Sequence, residues 1–189
     1  MYGSDRRSLS FTDERFDFAN EGMTWASVWG LVTLRDRIRA GGELRYLGVY
    51  DYQPESGGDG VAELGHLVEL VGRSEYVLPA ATDIDLVLGA QAGLAVLFPG
   101  GDFEREIEAL KQQGAGVWNV PRLGYLMGPQ VGGRYRLSRR TTLRADLAVL
   151  WWQAFLFYEN DAVAGVRFEK SRRANIVRLQ LGVSLEVAL

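Results

Sequence analysis

The residue types that most often carry chemistry are scarce in this chain. His66 is its only histidine, and cysteine is absent, which excludes a thiolate nucleophile and a disulfide framework. His66 lies between Leu64 and Val68 on one face of an alternating stretch, and no serine or carboxylate stands two residues away on that face. General acid–base catalysis needs a partner within hydrogen-bond reach, so we assign no catalytic residue.

Metal, cofactor and nucleic-acid sites receive little support. With one histidine and no cysteine, only carboxylates remain as metal ligands. Glu159, Asp161 and Glu169 could bind a cation in a loop, but a solvated loop is the simpler interpretation. The glycines lie within strand-like stretches, which argues against a phosphate-binding loop. A net charge of −3 is too small to indicate nucleic acid as a partner. We therefore expect no metal, no cofactor and no nucleic acid.

Charges of both signs alternate with aliphatic residues along most of the chain. All but two of the 21 basic residues are arginine, which is favoured where cations are paired in a confined space. Buried charges are tolerated when they are paired and hydrogen-bonded, and the neighbouring glycines leave room for long side chains. We predict an ionic layer in one half of a narrow interior, formed by Arg73, Glu75, Asp83, Asp85, Arg134, Arg136, Arg144, Asp146 and Glu186.

Period-two alternation indicates that β-strands position these residues. The clearest example is the end of the chain, where aliphatic residues occupy every odd position from Val177 to Leu189. Ala40-Gly41-Gly42 is predicted to be a tight turn, and the connections after residues 78 and 137 are also short, whereas those after residues 53, 98 and 158 are longer. Eight strands are predicted, at residues 8–18, 22–37, 43–53, 62–78, 83–98, 122–137, 141–158 and 174–189.

The one long connection covers residues 99–121. Asp102 could cap a short helix that continues to Gln113. Phe103, Ile107 and Leu110 would then form an apolar stripe on that helix. An apolar stripe of this kind is more often a local cap than a partner surface. It is nevertheless the best candidate in the chain for contact with a protein partner.

Alternation alone does not say which face of the strands points inward. The face opposite the aliphatic one carries glycine and isolated charges instead of the mixed polar residues of a solvated surface, which favours an inward position. Trp25, Trp29 and Trp152 share that face and would fill the bore. Aromatic residues of the aliphatic face lie mostly towards strand ends, as interfacial girdles do, at Tyr46, Tyr50, Tyr52, Tyr76, Phe98, Tyr125, Tyr135, Phe155 and Phe157.

These observations predict one domain, residues 1–189, of the all-β class. The predicted fold is an eight-stranded antiparallel up-and-down transmembrane β-barrel, with the apolar face outward and a charged, glycine-rich lumen. In this pattern the chain resembles the small outer-membrane β-barrels of Gram-negative bacteria, the class that contains the OmpA transmembrane domain and OmpX-like proteins. The resemblance implies a location in the bacterial outer membrane after removal of a signal peptide. It also implies the lipid bilayer and the barrel-assembly machinery as partners.

Three functions remain open. The first is a non-enzymatic envelope anchor or an adhesion or interaction scaffold with an ion-paired, mostly closed lumen, which could have an envelope protein as partner. The second is an outer-membrane enzyme that modifies lipid, which requires His66 to face a polar groove beside a nucleophile. The third is a soluble lipocalin-like barrel that binds a ligand with its apolar face inward.

Overall fold

The computed structural model describes residues 2–9, 12–19, 25–54, 62–112, 119–163 and 166–188. Side chains are described at residues 25–48, 63–109, 111–112, 119–153 and 175–188. In chain order the described elements are β1 (Tyr2–Leu9), β2 (Thr12–Ala19), β3 (Ala26–Arg35), β4 (Ile38–Pro54), β5 (Ala62–Ala81), β6 (Ile84–Pro99), α1 (Gly101–Gln112), β7 (Arg122–Arg136), β8 (Thr141–Val163) and β9 (Val166–Val187).

Strands β3 to β9 form one antiparallel sheet in which each strand pairs with its neighbours in the chain. The predicted all-β class and up-and-down connectivity are confirmed for these seven strands. Residues 36–37, 82–83 and 137–140 connect successive strands at one end of the sheet, which we call the short-turn end. Helix α1 follows β6 at the opposite end.

In the part of the chain that the structure describes, the seven strands β3 to β9 do not close on one another into a barrel. Within the described residues, no ladder joins β3 to β9, the two outer strands of the seven. The segment predicted as a single strand at residues 8–18 belongs to a hairpin of β1 and β2, and β1 pairs with part of β9. Strand β2 reaches β4 through two residue pairs, Phe18 with Pro54 and Ala19 with Gln53.

The first turn of the sheet lies at residues 36–37 and not at Ala40-Gly41-Gly42 as predicted. Gly41 lies inside β4, where a Cβ atom would overlap the carbonyl oxygen of Gly30 on β3. This glycine therefore allows two strands to approach closely instead of reversing the chain. The earlier turn brings Arg39 into β4, where it reaches Glu186 of β9 across the interior.

The two faces of the sheet are opposite in polarity to those of an ordinary soluble protein. On β9 the outward side chains of Leu179, Leu181 and Val183 are 68%, 70% and 73% exposed. On the inner face Glu69 and Arg144 are 0% exposed. Charged residues are rarely fully buried unless they are paired. The face predicted to point outward is thus exposed, and the face predicted to line the interior is buried.

The inner face has two zones along the strands. Near the short-turn end it is charged, and towards α1 it is apolar. Leu67, Leu97, Leu126 and Ile176 belong to the apolar cluster, and each is 0 or 1% exposed. Trp152 is buried in this cluster, and Trp25 packs against it, so both tryptophans lie inside as predicted.

Two glycines of β7 provide a test of how tightly the strands pack. A Cβ atom at Gly128 would overlap the carbonyl oxygen of Val149 on β8, whereas at Gly133 no atom lies within 4 Å. We expect Gly128→Ala to lower the free energy of unfolding by about 1–3 kcal/mol through overpacking. Gly133→Ala should change it by less than about 0.5 kcal/mol. Denaturant titrations of both variants in one detergent make the comparison, and equal effects would contradict the described packing.

Candidate functional site

The candidate site is the ionic network on the inner face of β4 to β9. Alternation along each strand aims its members into the same interior. Within the described residues, six arginines and six carboxylates make ion pairs with one another there. They are Arg39, Arg45, Arg73, Arg134, Arg144 and Arg178, with Glu43, Glu69, Glu75, Asp85, Asp146 and Glu186.

Arg144 is the centre of the half of the network nearest the short turns. Its Nη2 lies 2.6 Å from Oε1 of Glu75 on β5, and its Nη1 lies 3.1 Å from Oε1 of Glu186 on β9. Its Nε donates to Asp146, two residues along the same strand. The fixed fork of guanidinium donors makes this threefold contact possible, which a lysine ammonium could not reproduce.

A second group lies deeper, around Glu43 and Glu69. Oε2 of Glu43 accepts hydrogen bonds from Arg45 and from Arg73, each at 2.8 Å. Glu69 is bonded by Arg45 at 3.4 Å and by Arg178 of β9 at 2.7 Å. Arg73 also lies 3.2 Å from Glu75, so the deeper group is continuous with the group around Arg144.

Three glutamine side chains join the charged groups. Gln91 accepts a hydrogen bond from Arg45 and donates one to Gln130. Gln130 in turn donates to Glu75 at 2.9 Å. Gln180 accepts from Arg45 at 3.4 Å. These neutral amides satisfy charged neighbours without adding charge to a buried space.

Two tryptophans cover the network from the side of β3. The guanidinium of Arg45 lies 5.6 Å from the ring centre of Trp25. Those of Arg73 and Arg144 each lie 5.4 Å from the ring centre of Trp29. Cations stacked on indole rings gain electrostatic attraction, and more of it where water is excluded. The indoles therefore both fill space and stabilise the arginines.

The inner face opens between β3 and β9. A cavity of about 1480 Å³ lies there, lined among others by Trp25, Trp29, Arg39, Gly182 and Glu186. A Cβ atom at Gly182 would lie 2.9 Å from the Trp25 ring, so this glycine leaves the space that the indole uses. The cavity gives the ionic network a lateral opening between β3 and the part of β9 that follows Val177, the last residue of β9 paired with β1.

The network is suited to holding strands together and poorly suited to catalysis. Every carboxylate in it is bonded to at least one arginine, so each already contributes to holding the strands together. Among the described residues, no group of three or more His, Asp or Glu side chains is arranged to hold a metal ion. The side chains of Glu159, Asp161 and Glu169 lie outside the described residues.

Seven of the nine residues predicted for the ionic layer belong to the network. Asp83 and Arg136 do not join it within the described residues, because both are exposed at the short-turn end. The other five members of the network lie outside the predicted layer: Arg39, Arg45, Arg178, Glu43 and Glu69. Arg39 was missed because residues 40–42 were predicted to be a turn. The role of Gln91 and Gln130 was also missed, although their alternation with aliphatic residues on β6 and β7 was an available signal.

His66 lies on the outer face, as predicted. Its Nδ1 is 2.8 Å from the hydroxyl oxygen of Tyr46, and the two rings stack with centres 6.0 Å apart. Gly65 next to it has a φ of 113°, and this irregularity turns Leu64 inward while His66 stays exposed. Tyr76, Phe98 and Tyr135, three of the residues predicted for aromatic girdles, are also exposed on this face.

Helix α1 covers the apolar end of the interior. Phe103 and Ile107 are 1% and 0% exposed and belong to the core cluster. The predicted partner surface of Phe103, Ile107 and Leu110 is therefore corrected: two of the three side chains are core residues, and that of Leu110 lies outside the described ones. Within the described residues, no helix has the length and apolar character needed to cross a membrane.

Asp102 fastens α1 to the sheet. Its Oδ2 accepts a hydrogen bond of 3.0 Å from the backbone N–H of Glu63 at the start of β5, and its Oδ1 pairs with Arg105. The N–H of Glu63, more than the nearby Arg105, holds the pKa of the Asp102 carboxyl below its ordinary value. Both bonds favour the ionised form.

No protein-family model, no curated protein and no solved structure matches this chain. The function of the chain is therefore inferred from its sheet and its ionic network.

The centre of the network can be tested by removing Arg144. Arg144→Met leaves Glu75 and Glu186 with less compensation in a buried site, so we expect it to lower the free energy of unfolding by about 3–5 kcal/mol. The control is Lys111→Met, which removes the exposed pair with Glu108 and should cost less than about 1 kcal/mol. Denaturant unfolding of both variants measures the difference, and similar costs would contradict a structural role for the network.

The attachment of α1 should depend on pH through Asp102. Because the folded pKa is lowered, the stabilisation is complete above the unfolded value of about 3.9 and is lost as pH falls through the folded value. We expect protection of the Glu63 amide against hydrogen exchange to fall in that acidic range. Asp102→Asn should give weaker protection that is insensitive to pH there, and the same pH profile in both proteins would contradict the prediction.

Proposed function

We propose that this chain is a small, non-enzymatic outer-membrane β-barrel of a Gram-negative bacterium that serves as an envelope anchor or as an adhesion or interaction scaffold. The observation that carries the proposal is the polarity of the sheet, with an exposed aliphatic face and a buried, charge-paired face. The resemblance in strand pattern to the OmpA transmembrane domain and OmpX-like proteins supports it. The proposal includes the outer membrane as location and the barrel-assembly machinery as a partner.

The outer face has the extent that a bilayer requires. On β9 exposed aliphatic side chains alternate from Val177 to Val187, which covers the roughly 9–11 residues that a tilted strand needs to cross the hydrocarbon. Leu70 on β5, Leu94 on β6 and Leu123 on β7 are 62%, 58% and 62% exposed and extend the same surface around the sheet. Soluble monomers rarely expose an apolar patch larger than a few hundred Å².

The contacts of the inner face favour a structural function and argue against an open channel that conducts ions. Six arginines and six carboxylates of that face are joined in ion pairs, and Trp25 and Trp29 stack on three of these arginines. Helix α1 covers the other end through Phe103 and Ile107. We propose an interior that is mostly closed, so single-channel recordings should show no large stable conductance, and such a conductance would contradict this part of the proposal.

The proposed membrane form is a barrel with eight strand positions. Strands β2 and β3 both lie beside β4, β2 at Gln53–Pro54 and β3 at Ile38–Tyr46. Because they cover successive parts of β4, they together occupy one strand position. The hairpin partner β1 lies between β2 and β9 and supplies another. In hydrocarbon each unpaired backbone group costs several kcal/mol, so we propose that the opening between β3 and β9 is closed in the membrane.

A lipid-modifying enzyme and a soluble carrier are the alternatives. The exposed position of His66 beside Tyr46 resembles an interfacial aromatic pair and offers the histidine no described polar groove. A soluble carrier would need its apolar face inside. A refolded chain that stays monomeric in buffer without detergent would favour the carrier and overturn the membrane proposal.

The proposal predicts position-dependent effects of charge on the outer face. Leu181→Arg, in the middle of the exposed stripe of β9, should lower the free energy of unfolding in lipid vesicles by about 2–4 kcal/mol. Leu137→Arg at the short-turn end, where Leu137 is 53% exposed, should cost no more than about 1 kcal/mol. Unfolding titrations in the same vesicles measure both. A Leu181→Arg cost below about 0.5 kcal/mol, as at an ordinary water-exposed position, would contradict the proposal.

A further inference from the structure

The short-turn end carries charges that the ionic network does not use. Five arginines are exposed there and form what we call the basic rim: Arg35, Arg37, Arg136, Arg139 and Arg140. Asp36 and Asp83 are the exposed acids at the same end. Within the described residues none of the five arginines takes part in an ion pair, so the rim has an excess of positive charge facing solvent.

Backbone hydrogen bonds hold the rim in place. The N–H of Val77 donates to the carbonyl oxygen of Arg37 at 2.8 Å, and the N–H of Ala188 donates to that of Arg140 at 2.9 Å. Between these two, the N–H of Arg136 donates to the carbonyl oxygen of Asp83 at 2.8 Å. The arginines thus project from backbone that is connected around the short-turn end of the sheet.

The turn between β7 and β8 presents its two arginines in a fixed conformation. The Ser138 hydroxyl oxygen accepts hydrogen bonds from the N–H groups of Arg140 at 3.2 Å and of Thr141 at 3.1 Å. Serine turns of this kind order the backbone locally. The backbone that carries Arg139 and Arg140 is therefore already ordered before any ligand binds.

The rim borders the apolar outer face directly. Leu34 and Leu137 lie beside rim arginines and are 65% and 53% exposed. Tyr76 and Tyr135 are also exposed and lie slightly nearer the middle of the sheet. Tyrosine at the edge of an apolar band is typical of the level of lipid headgroups. The arginines one or two residues further out would then lie at the level of the phosphates.

Charge is distributed unequally between the two ends of the molecule. Helix α1 at the opposite end carries Asp102, Glu104, Glu106 and Glu108 against two basic residues, Arg105 and Lys111. The basic end and the acidic helix would respond in opposite ways to a negatively charged surface.

We propose that the basic rim binds the phosphate groups of anionic phospholipids in the leaflet at the short-turn end, and so anchors that end of the barrel at the headgroup level. The inference rests on the proposed membrane location and adds the lipid class that the chain selects. Guanidinium groups bind phosphate oxygens bidentately, and juxtamembrane arginines gain attraction from anionic lipids.

The test compares insertion of the urea-unfolded chain into vesicles of phosphatidylcholine and vesicles of phosphatidylcholine mixed with phosphatidylglycerol. The fraction inserted is read from the heat-modifiable gel band over time. We expect the anionic lipid to speed insertion of the unmodified chain on the order of tenfold, and high salt to remove the difference by screening. A variant with Arg136→Gln, Arg139→Gln and Arg140→Gln should lose the lipid preference.

Two controls isolate the rim. The triple substitution of Arg136, Arg139 and Arg140 by lysine keeps the charge at the same turn and should retain most of the preference. Arg105→Gln removes an exposed arginine from α1 at the opposite end and should retain all of it. A loss of preference in Arg105→Gln equal to that in the triple glutamine variant would overturn the assignment to the rim.

The outcomes separate this inference from the proposed function. Insertion into neither lipid would overturn the proposed function and the inference with it. Equal insertion into both lipids would leave the proposed function standing and overturn the inference alone. Loss of the preference on adding inorganic phosphate at constant ionic strength would identify a free-anion site and overturn the assignment to lipid.

Discussion

Ion pairing across the interior is the interaction on which the curvature of the sheet depends. Arg178 of β9 reaches Glu69 of β5, and Arg39 of β4 reaches Glu186 of β9. These strands are not neighbours in the sheet, so the bonds can form only if the sheet curls until its opposite walls meet. Buried charges left unpaired are strongly destabilising, which makes a flat arrangement of the same strands unfavourable.

The two zones of the interior are filled by different kinds of side chain. Towards α1, aliphatic side chains such as Leu67 and Leu126 fill the space as in any protein core. Towards the short turns, long arginines fill it and glycines such as Gly182 make room for them and for Trp25. The charged zone demands more exact geometry, because five of its six paired guanidinium groups each contact two or three carboxylates.

Much of this arrangement could be predicted from the sequence, because alternation fixes which side chains share a face. Arg73, Glu75, Arg144 and Glu186 meet inside as their positions on the strands indicated. The prediction of a turn at residues 40–42 was wrong. A glycine that lets two strands approach closely and a glycine that reverses the chain cannot be told apart in a sequence.

Other features depend on tertiary contacts that no local pattern encodes. The stripe of Phe103 and Ile107 is equally compatible with a covered core and with an open surface, and only its position over the strand ends makes it core. The inward turn of Leu64 depends on a single irregularity at Gly65, which a regular period of two does not anticipate. Closure also could not be predicted, because alternation describes faces and does not say which edges pair.

The spacing of the ion pairs along the chain has a consequence for folding. Arg39 and Glu186 are 147 positions apart, and Arg178 and Glu69 are 109 apart. Contacts between such distant segments require large loops to close first, which slows folding. These two pairs therefore form late, after distant segments of the chain have been brought together, and until then their four charges remain hydrated. Slow, highly cooperative folding therefore follows from the positions of these arginines and carboxylates in the sequence.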